Sequence, residues 1–299
     1  MDFASATTGS YMTAPSAAAA APPLPPRVQA YLEALVQTCV EGGGALVSVI
    51  LFGSVVRGGF SAAASDVDLI LIVPDEASRE DRRRVRENAE RIEALHGFRT
   101  DTDRPPGRLE ALVEKLTGNA SSFFVCTRGD LLSGRIGRIL ALRPAQALFA
   151  DRVVLASIMA SAVTVWGEEL LPRVAVPPIR RCDVFKALFG FSCQVLLSVA
   201  VFPVLPGATR YAMGALKRSL HNCYFCYHAR PACLEAEIDF FQRRLGPSRT
   251  LVELLALRRE YRRSFPFVLR CLPTLALLHL RTASDNRSPR SKEPRHQEV

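Results

Sequence analysis

The sequence predicts an α+β protein: a small β-sheet domain flanked by helices, followed by an all-α helical bundle domain. Three observations carry this. Residues 45–52 and 66–73 are short apolar, β-branched runs bounded by Gly, Ser, Asp and Pro, the pattern of strands buried on both faces. Helical periodicity flanks them on each side, with apolar residues at 28, 32, 35, 36 and 39 and again at 85, 89 and 92. After Pro177-Pro178 the alternation ends and long apolar helical stretches take over.

Residues 1–26 form an Ala/Pro-rich arm without periodicity, expected to be disordered. The helix of Val28 to Cys39 is stopped by Gly42-Gly43-Gly44, and the first strand follows. The second strand ends at Pro74, and Ser78-Arg-Glu-Asp81 has the form of a capping box that opens a helix closed by Gly97. A short strand at 98–103, a helix at 108–116, a strand at 122–126 and another at 162–166 complete a first domain of residues 27–178. Residues 179–282 form the helical domain, with helices expected at 183–202, 210–229, 234–245 and 249–281. Residues 283–299 are a basic tail, expected to be disordered.

The chain carries 38 Lys and Arg against 29 Asp and Glu, a formal charge of +9, which favours polyanionic partners such as nucleotides, nucleic acid or acidic head groups. Lysine occurs only at 115, 186, 217 and 292, so the positive charge is mostly arginine. Eight scattered cysteines and an N-terminal region without a basic segment before its alanines predict a cytoplasmic protein with reduced thiols. The uncharged stretch 187–209 is long enough to span a bilayer. Its Ser, Gln and Pro residues make a buried bundle helix the expectation, without membrane insertion.

The chemistry concentrates in residues 51–71. A buried strand ends in Gly53-Ser54, a loop or short helix follows, and a second buried strand opens with Asp66-Val67-Asp68. Strand alternation puts Asp66 and Asp68 on one face and Val67 on the other. Two carboxylates side by side repel one another unless a cation lies between them. A hard divalent ion such as magnesium satisfies them, completing its shell with substrate phosphates. Gly53 allows close approach of backbone to phosphate, and Ser54 with the following N–H groups can cradle it at a helix N-terminus.

The pattern Phe52-Gly53-Ser54, Arg57-Gly58, Ser65-Asp66-Val67-Asp68-Leu69 resembles that of the nucleotidyltransferase superfamily, which includes DNA polymerase β. The Arg-Gly element is closest to the minimal and aminoglycoside-modifying branches. The resemblance covers some twenty residues. It implies a small mixed β-sheet catalytic domain with a helical partner domain, binding an NTP such as ATP with two Mg2+ ions. It assigns Asp66 and Asp68 to metal and catalysis, and Gly53, Ser54, Arg57 and Ser65 to the nucleotide.

The family also takes a third carboxylate from a neighbouring strand. Asp101 and Asp103 are the candidates, although Thr and Arg flank them where the family has apolar residues. Asp130 and Glu168 are weaker candidates. Lys217 is a candidate phosphate contact, on a helical stripe with His221, Tyr224 and His228 that either faces the nucleotide or is a solvated face. Cys223 and Cys226 read as members of a helical core stripe, because one Cys pair falls short of the four ligands of structural zinc. Walker A, Rossmann and His-Glu-x-x-His patterns are absent from the sequence, which disfavours ATPase, dehydrogenase and metalloprotease chemistry.

The sequence therefore points to a magnesium-dependent transfer of a nucleoside monophosphate from an NTP to an acceptor hydroxyl, with release of pyrophosphate. The acceptor is a small molecule, a protein or an RNA end. A nucleotidyltransferase-fold regulatory or antitoxin-like binding protein without turnover is the alternative.

Overall fold

The structure is a computed structural model, and it describes residues 24–41, 45–58, 66–98, 113, 122–140, 142 and 152–285. The chain divides into two compact units, residues 1–150 with 158–177, and residues 151–157 with 178–299. The arm expected at 1–26 lies almost wholly outside the described residues, as do the strand expected at 98–103 beyond Phe98, the helix expected at 108–116 apart from Val113, and the tail from 286.

The first unit is built on a four-stranded sheet of β1 (Ser48–Phe52), β2 (Asp68–Val73), β3 (Phe123–Thr127) and β4 (Val163–Gly167), in the order β3-β2-β1-β4. β1 runs antiparallel to β2 and β4, and β2 runs parallel to β3, so the sheet is mixed. Helix α1 (Pro26–Glu41) and helix α2 (Arg79–Leu95) pack on one face. Val28, Tyr31, Leu35 and Cys39 of α1 and Val85, Ala89 and Ile92 of α2 meet Val49, Leu51, Leu69, Leu71, Phe123 and Val125 there.

The alternate residues Ile50, Ile70 and Ile72 are equally buried on the other face, which is why the strands read as unbroken apolar runs. Short helices α3 (Arg128–Leu132) and α4 (Ile136–Ile139) follow β3. The predicted capping box forms: the Ser78 side chain accepts from the Asp81 N–H at 3.1 Å, and the Asp81 carboxylate accepts from the Ser78 N–H at 2.9 Å.

The second unit takes in most of α5 (Arg152–Met159) and contains α6 (Arg181–Val201), α7 (Ala208–His228), α8 (Leu234–Leu245), α9 (Arg249–Arg259) and α10 (Phe265–Asp285). Its core is lined by Val195 of α6, Leu216 and Leu220 of α7, Phe241 of α8, Leu254 of α9 and Phe267 and Leu275 of α10. Helix α6 stops at Val201, just before Pro203. Among the described residues it is the one helix whose length and composition would suit a membrane span.

The single helix expected over 249–281 is two. Ser264 accepts a bond from the Phe267 N–H at 3.3 Å, and Pro266 stands in the first turn of α10, where a missing N–H costs nothing. The connector is tied to the α6–α7 turn by Tyr261 Oη donating to Pro206 O at 2.8 Å and the Ser264 N–H donating to Thr209 Oγ1 at 3.1 Å.

His279 ties three helices together. Its Nδ1 donates to Val184 O of α6 at 3.1 Å, and its Nε2 accepts from Ser219 Oγ of α7 at 2.6 Å. A carbonyl only accepts, so the ring is the neutral Nδ1–H tautomer. Burial pushes its pKa down to about 4, partly offset by the bond to Val184.

An unfolded imidazole takes up its proton near pH 6.5, well before the folded one, so the unfolded state binds more protons between about pH 6.5 and 4. Stability should fall as pH drops through that window, by up to about 3 kcal/mol from this group. Thermal melts across the window should show the fall, and His279→Gln should flatten it.

Candidate active site

The site begins where β1 runs out. Phe52 pairs with Asp68 across the antiparallel ladder, and Gly53 then turns the chain with φ +80°. A Cβ built on Gly53 would lie 1.9 Å from Asp68 Oδ2 and 2.8 Å from its Cγ. Only glycine tolerates both the backbone angle and the contact. The carboxylate of Asp68 thus rests on bare backbone.

Of the two alternatives, loop or short helix, residues 53–58 take the loop, a run of turns closed by Arg57 N donating to Gly53 O at 3.2 Å. Val55 is buried and anchors the loop, leaving Ser54 and Arg57 half-exposed beside it. Ser65 lies outside the described residues.

Asp66 is exposed, Val67 is buried with the α1–α2 core, and Asp68 is half-buried. The alternation is the one expected from the sequence: Val67 and Leu69 enter the core under α1 and α2, and the two aspartates take the opposite side. Their oxygen donors suit a hard cation that draws its remaining ligands from phosphate. No group of three or more His, Cys, Asp or Glu residues able to hold a metal occurs among the described residues.

The third carboxylate is a different matter. β3 lies parallel to β2 with Leu69 opposite Phe123, so Ser122 stands beside Asp68, and Leu69 N donates to Ser122 O at 2.9 Å. The β3 strand itself carries no acid. Asp101 and Asp103 lie outside the described residues.

Asp130 and Glu168 are at the opposite edge of the sheet. Thr127, which caps the helix of Asp130, pairs with Val73, and Gly167 pairs with Ser48, each strand end being remote from Asp68 and Phe52. They are engaged there, Asp130 with Arg138 at 3.5 Å and Glu168 with Arg128 at 2.6 Å and Arg173 at 2.9 Å.

The acid that sequence reading missed is Glu93. It is buried near the end of α2, where it accepts a hydrogen bond from Ser122 Oγ. Its charge adds to burial in raising the Tyr31 pKa. A glutamate in step with the apolar stripe of Val85, Ala89 and Ile92 was the available signal.

Lys217 is half-buried on α7 in the helical unit. Its stripe is not a solvated face. His221 Nδ1 lies 2.6 Å from the buried Glu237 of α8, and the Tyr224 ring packs 4.2 Å from His228 and edge-on to Phe240 at 5.4 Å. Tyr224 is therefore committed to aromatic packing, which excludes base stacking by its buried ring. Cys223 sits in the helical core, and neither Cys223 nor Cys226 is in a disulfide.

A small mixed sheet with a Gly-Ser turn facing an Asp-x-Asp strand defines a nucleotidyltransferase fold. Residues 32–115 match the family model described as nucleotidyltransferase domain, a span that includes the turn and both aspartates. Residues 32–115 thus carry a nucleotidyltransferase domain, the mark of a transferase enzyme.

Among solved structures it is similar to that of spectinomycin adenyltransferase AAD(9) from Enterococcus faecialis with ATP and spectinomycin. The TM-score is 0.50 at 9% identity, with 86% of this chain and 98% of that one covered. The likeness is one of fold. No curated protein matches the chain in sequence.

The Gly53–Asp68 contact makes a quantitative prediction. Gly53→Ala should destabilise the fold by about 2 kcal/mol or more, from positive φ and the clash. Removing the carboxylate as well, in Gly53→Ala with Asp68→Ala, should recover part of that loss. Denaturant titration of the two single variants and the double should give a coupling of about 0.5–3 kcal/mol. Strict additivity would mean that the carboxylate does not rest on Gly53.

Proposed function

We propose that the protein transfers a nucleoside monophosphate from a magnesium-bound NTP, with ATP the favoured donor, to an acceptor hydroxyl, releasing pyrophosphate. The observation that carries this reading is the Asp68 carboxylate seated on Gly53 at the mouth of the Gly-Ser turn. That contact brings two acids and a phosphate-binding backbone to one sheet edge.

In this reading Asp66 and Asp68 hold two Mg2+ ions against the triphosphate. When bound, the metal neutralises charge on the α-phosphate and on the leaving pyrophosphate. The Gly53 and Ser54 backbone would contact the β- and γ-phosphates, Arg57 would add a cation beside them, and Ser65 belongs to the same nucleotide-binding set.

AAD(9), with ATP and spectinomycin in its structure, supports ATP as donor and a small-molecule hydroxyl as the first acceptor to test, ahead of proteins and RNA ends. The proposed compartment is the cytoplasm, where the buried thiols stay reduced.

A regulatory protein that binds NTP without turnover is the second reading. Ser122, standing beside Asp68 on a neighbouring strand that carries no acid, is the observation in its favour.

Incubation with labelled ATP, GTP, CTP or UTP and magnesium, with aminoglycosides, total RNA and cell extract as acceptors, should yield a labelled product. Asp66→Asn with Asp68→Asn should reduce labelling on the order of 100-fold or more. The melting point should hold or rise, because the pair repels itself when metal-free. Tight NTP binding without any labelled product would select the regulatory reading. A large drop in melting point would make the aspartates structural.

A further inference from the structure

We infer that the outward face of α6 and α10 is a self-association surface that packs against the same face of a second copy. Phe185, Phe189 and Leu196 on α6 and Leu269, Leu277 and Leu280 on α10 are each 47–58% exposed. On α6 these side chains fall on one stripe with the exposed Cys193 and Ala200, and on α10 the stripe continues through the exposed Pro273. The two stripes are neighbours. His279 near the end of α10 reaches Val184 at the start of α6, and Phe265 at the start of α10 meets Phe202 at the end of α6, with ring centroids 4.8 Å apart. The helices therefore run antiparallel side by side, and their outward apolar rows form one surface.

A helix on a water-facing surface ordinarily turns charged residues outward. Here only 39% of the most apolar window of α6 is buried, and its exposed positions are Phe185, Phe189, Cys193, Leu196 and Ala200 with a single cation, Lys186. With the small residues between them, the six large side chains offer on the order of 700 Å² of apolar surface. That exceeds the roughly 300–600 Å² of a typical monomer's largest patch and approaches the roughly 800 Å² per partner of a standard interface.

The relief of the face points to protein rather than lipid. Large side chains alternate with small ones, Phe189, Cys193, Leu196 and Ala200 along α6, which gives knobs and the gaps to receive them. Lipid needs no such gaps. A two-fold axis lets one patch complete itself, because each knob of one copy meets a gap of the other. The cations Arg181, Lys186 and Arg281 gather at one end of the face, where α6 begins and α10 ends. A two-fold pairing that runs α6 against α6 antiparallel keeps those ends apart.

The test is the mass of the full chain by sedimentation equilibrium between about 1 and 100 μM, a range that spans weak to firm association. A dimer is expected, and Leu196→Glu with Leu277→Glu should raise its dissociation constant at least 100-fold with an unchanged circular dichroism spectrum. Should that variant fail to fold, the unmodified protein carries the test alone. Cys193 should then be alkylated by excess iodoacetamide several-fold more slowly at 100 μM than at 1 μM. A wild-type monomer at 100 μM, a dimer that persists in the folded double variant, or concentration-independent Cys193 labelling would each overturn the proposal. So would a monomer that floats with phosphatidylcholine vesicles, which would make the face a lipid-binding surface.

Discussion

Everything at the candidate catalytic edge depends on the fit of the Asp68 carboxylate against the bare Cα of Gly53. The fit is set by the antiparallel register of β1 and β2, in which Phe52 faces Asp68. Slipping that ladder by one residue would turn Asp68 into the core beneath α1 and α2, where a carboxylate has no partner, and move Leu69 to the opposite face. The apolar residues of the two central strands therefore place the acids. In that sense the hydrophobic effect aims the charges: Leu69 and Leu71 on one side and Ile70 and Ile72 on the other leave Asp68 a single available position.

The helical unit is organised by a different constraint. Its helices are too apolar for pattern alone to choose among packings, and buried polar groups do the choosing. The imidazole of His279 is satisfied only when Ser219 of α7 and Val184 of α6 are both in place. Sliding any of the three helices by a turn would leave a buried donor or acceptor unpaired, at a cost of about 1–3 kcal/mol for each such group. Glu253 plays the same part at the other end, accepting from Ser264 Oγ at 3.0 Å and from Arg270.

Much of the first unit was legible because its signals are local. The two central strands, the Ser78–Asp81 cap, the Gly53 turn and the alternation of Asp66, Val67 and Asp68 all follow from neighbours in sequence. Strand direction and order are not local. That β3 runs parallel to β2, which brings Ser122 to the catalytic edge and sends Asp130 to the far one, cannot be read from either strand by itself. The break at 260–264 was missed because no glycine marks it. Its signal was Ser264 two residues before Pro266, a start pattern inside what otherwise reads as one helix. The Lys217 stripe was misjudged for a similar reason, since its cover is α8, whose Glu237 is a buried charge that composition would place in water.

That β3 offers no acid beside Asp68 bears on how a proton could leave an acceptor hydroxyl. A serine hydroxyl is far too weak a base near neutral pH, and that of Ser122 is already donating to Glu93. Glu93 is the base that the described residues place at this corner besides the aspartates, and it lies beneath Ser122, almost wholly shielded from solvent. A carboxylate so placed is held by its hydrogen bond more than it is offered to a substrate. If Asp66 and Asp68 are occupied with metal, their basicity falls, because a bound dication opposes protonation. Under the proposed transfer, the described edge thus supplies charge neutralisation and phosphate placement in full, and general-base strength only weakly.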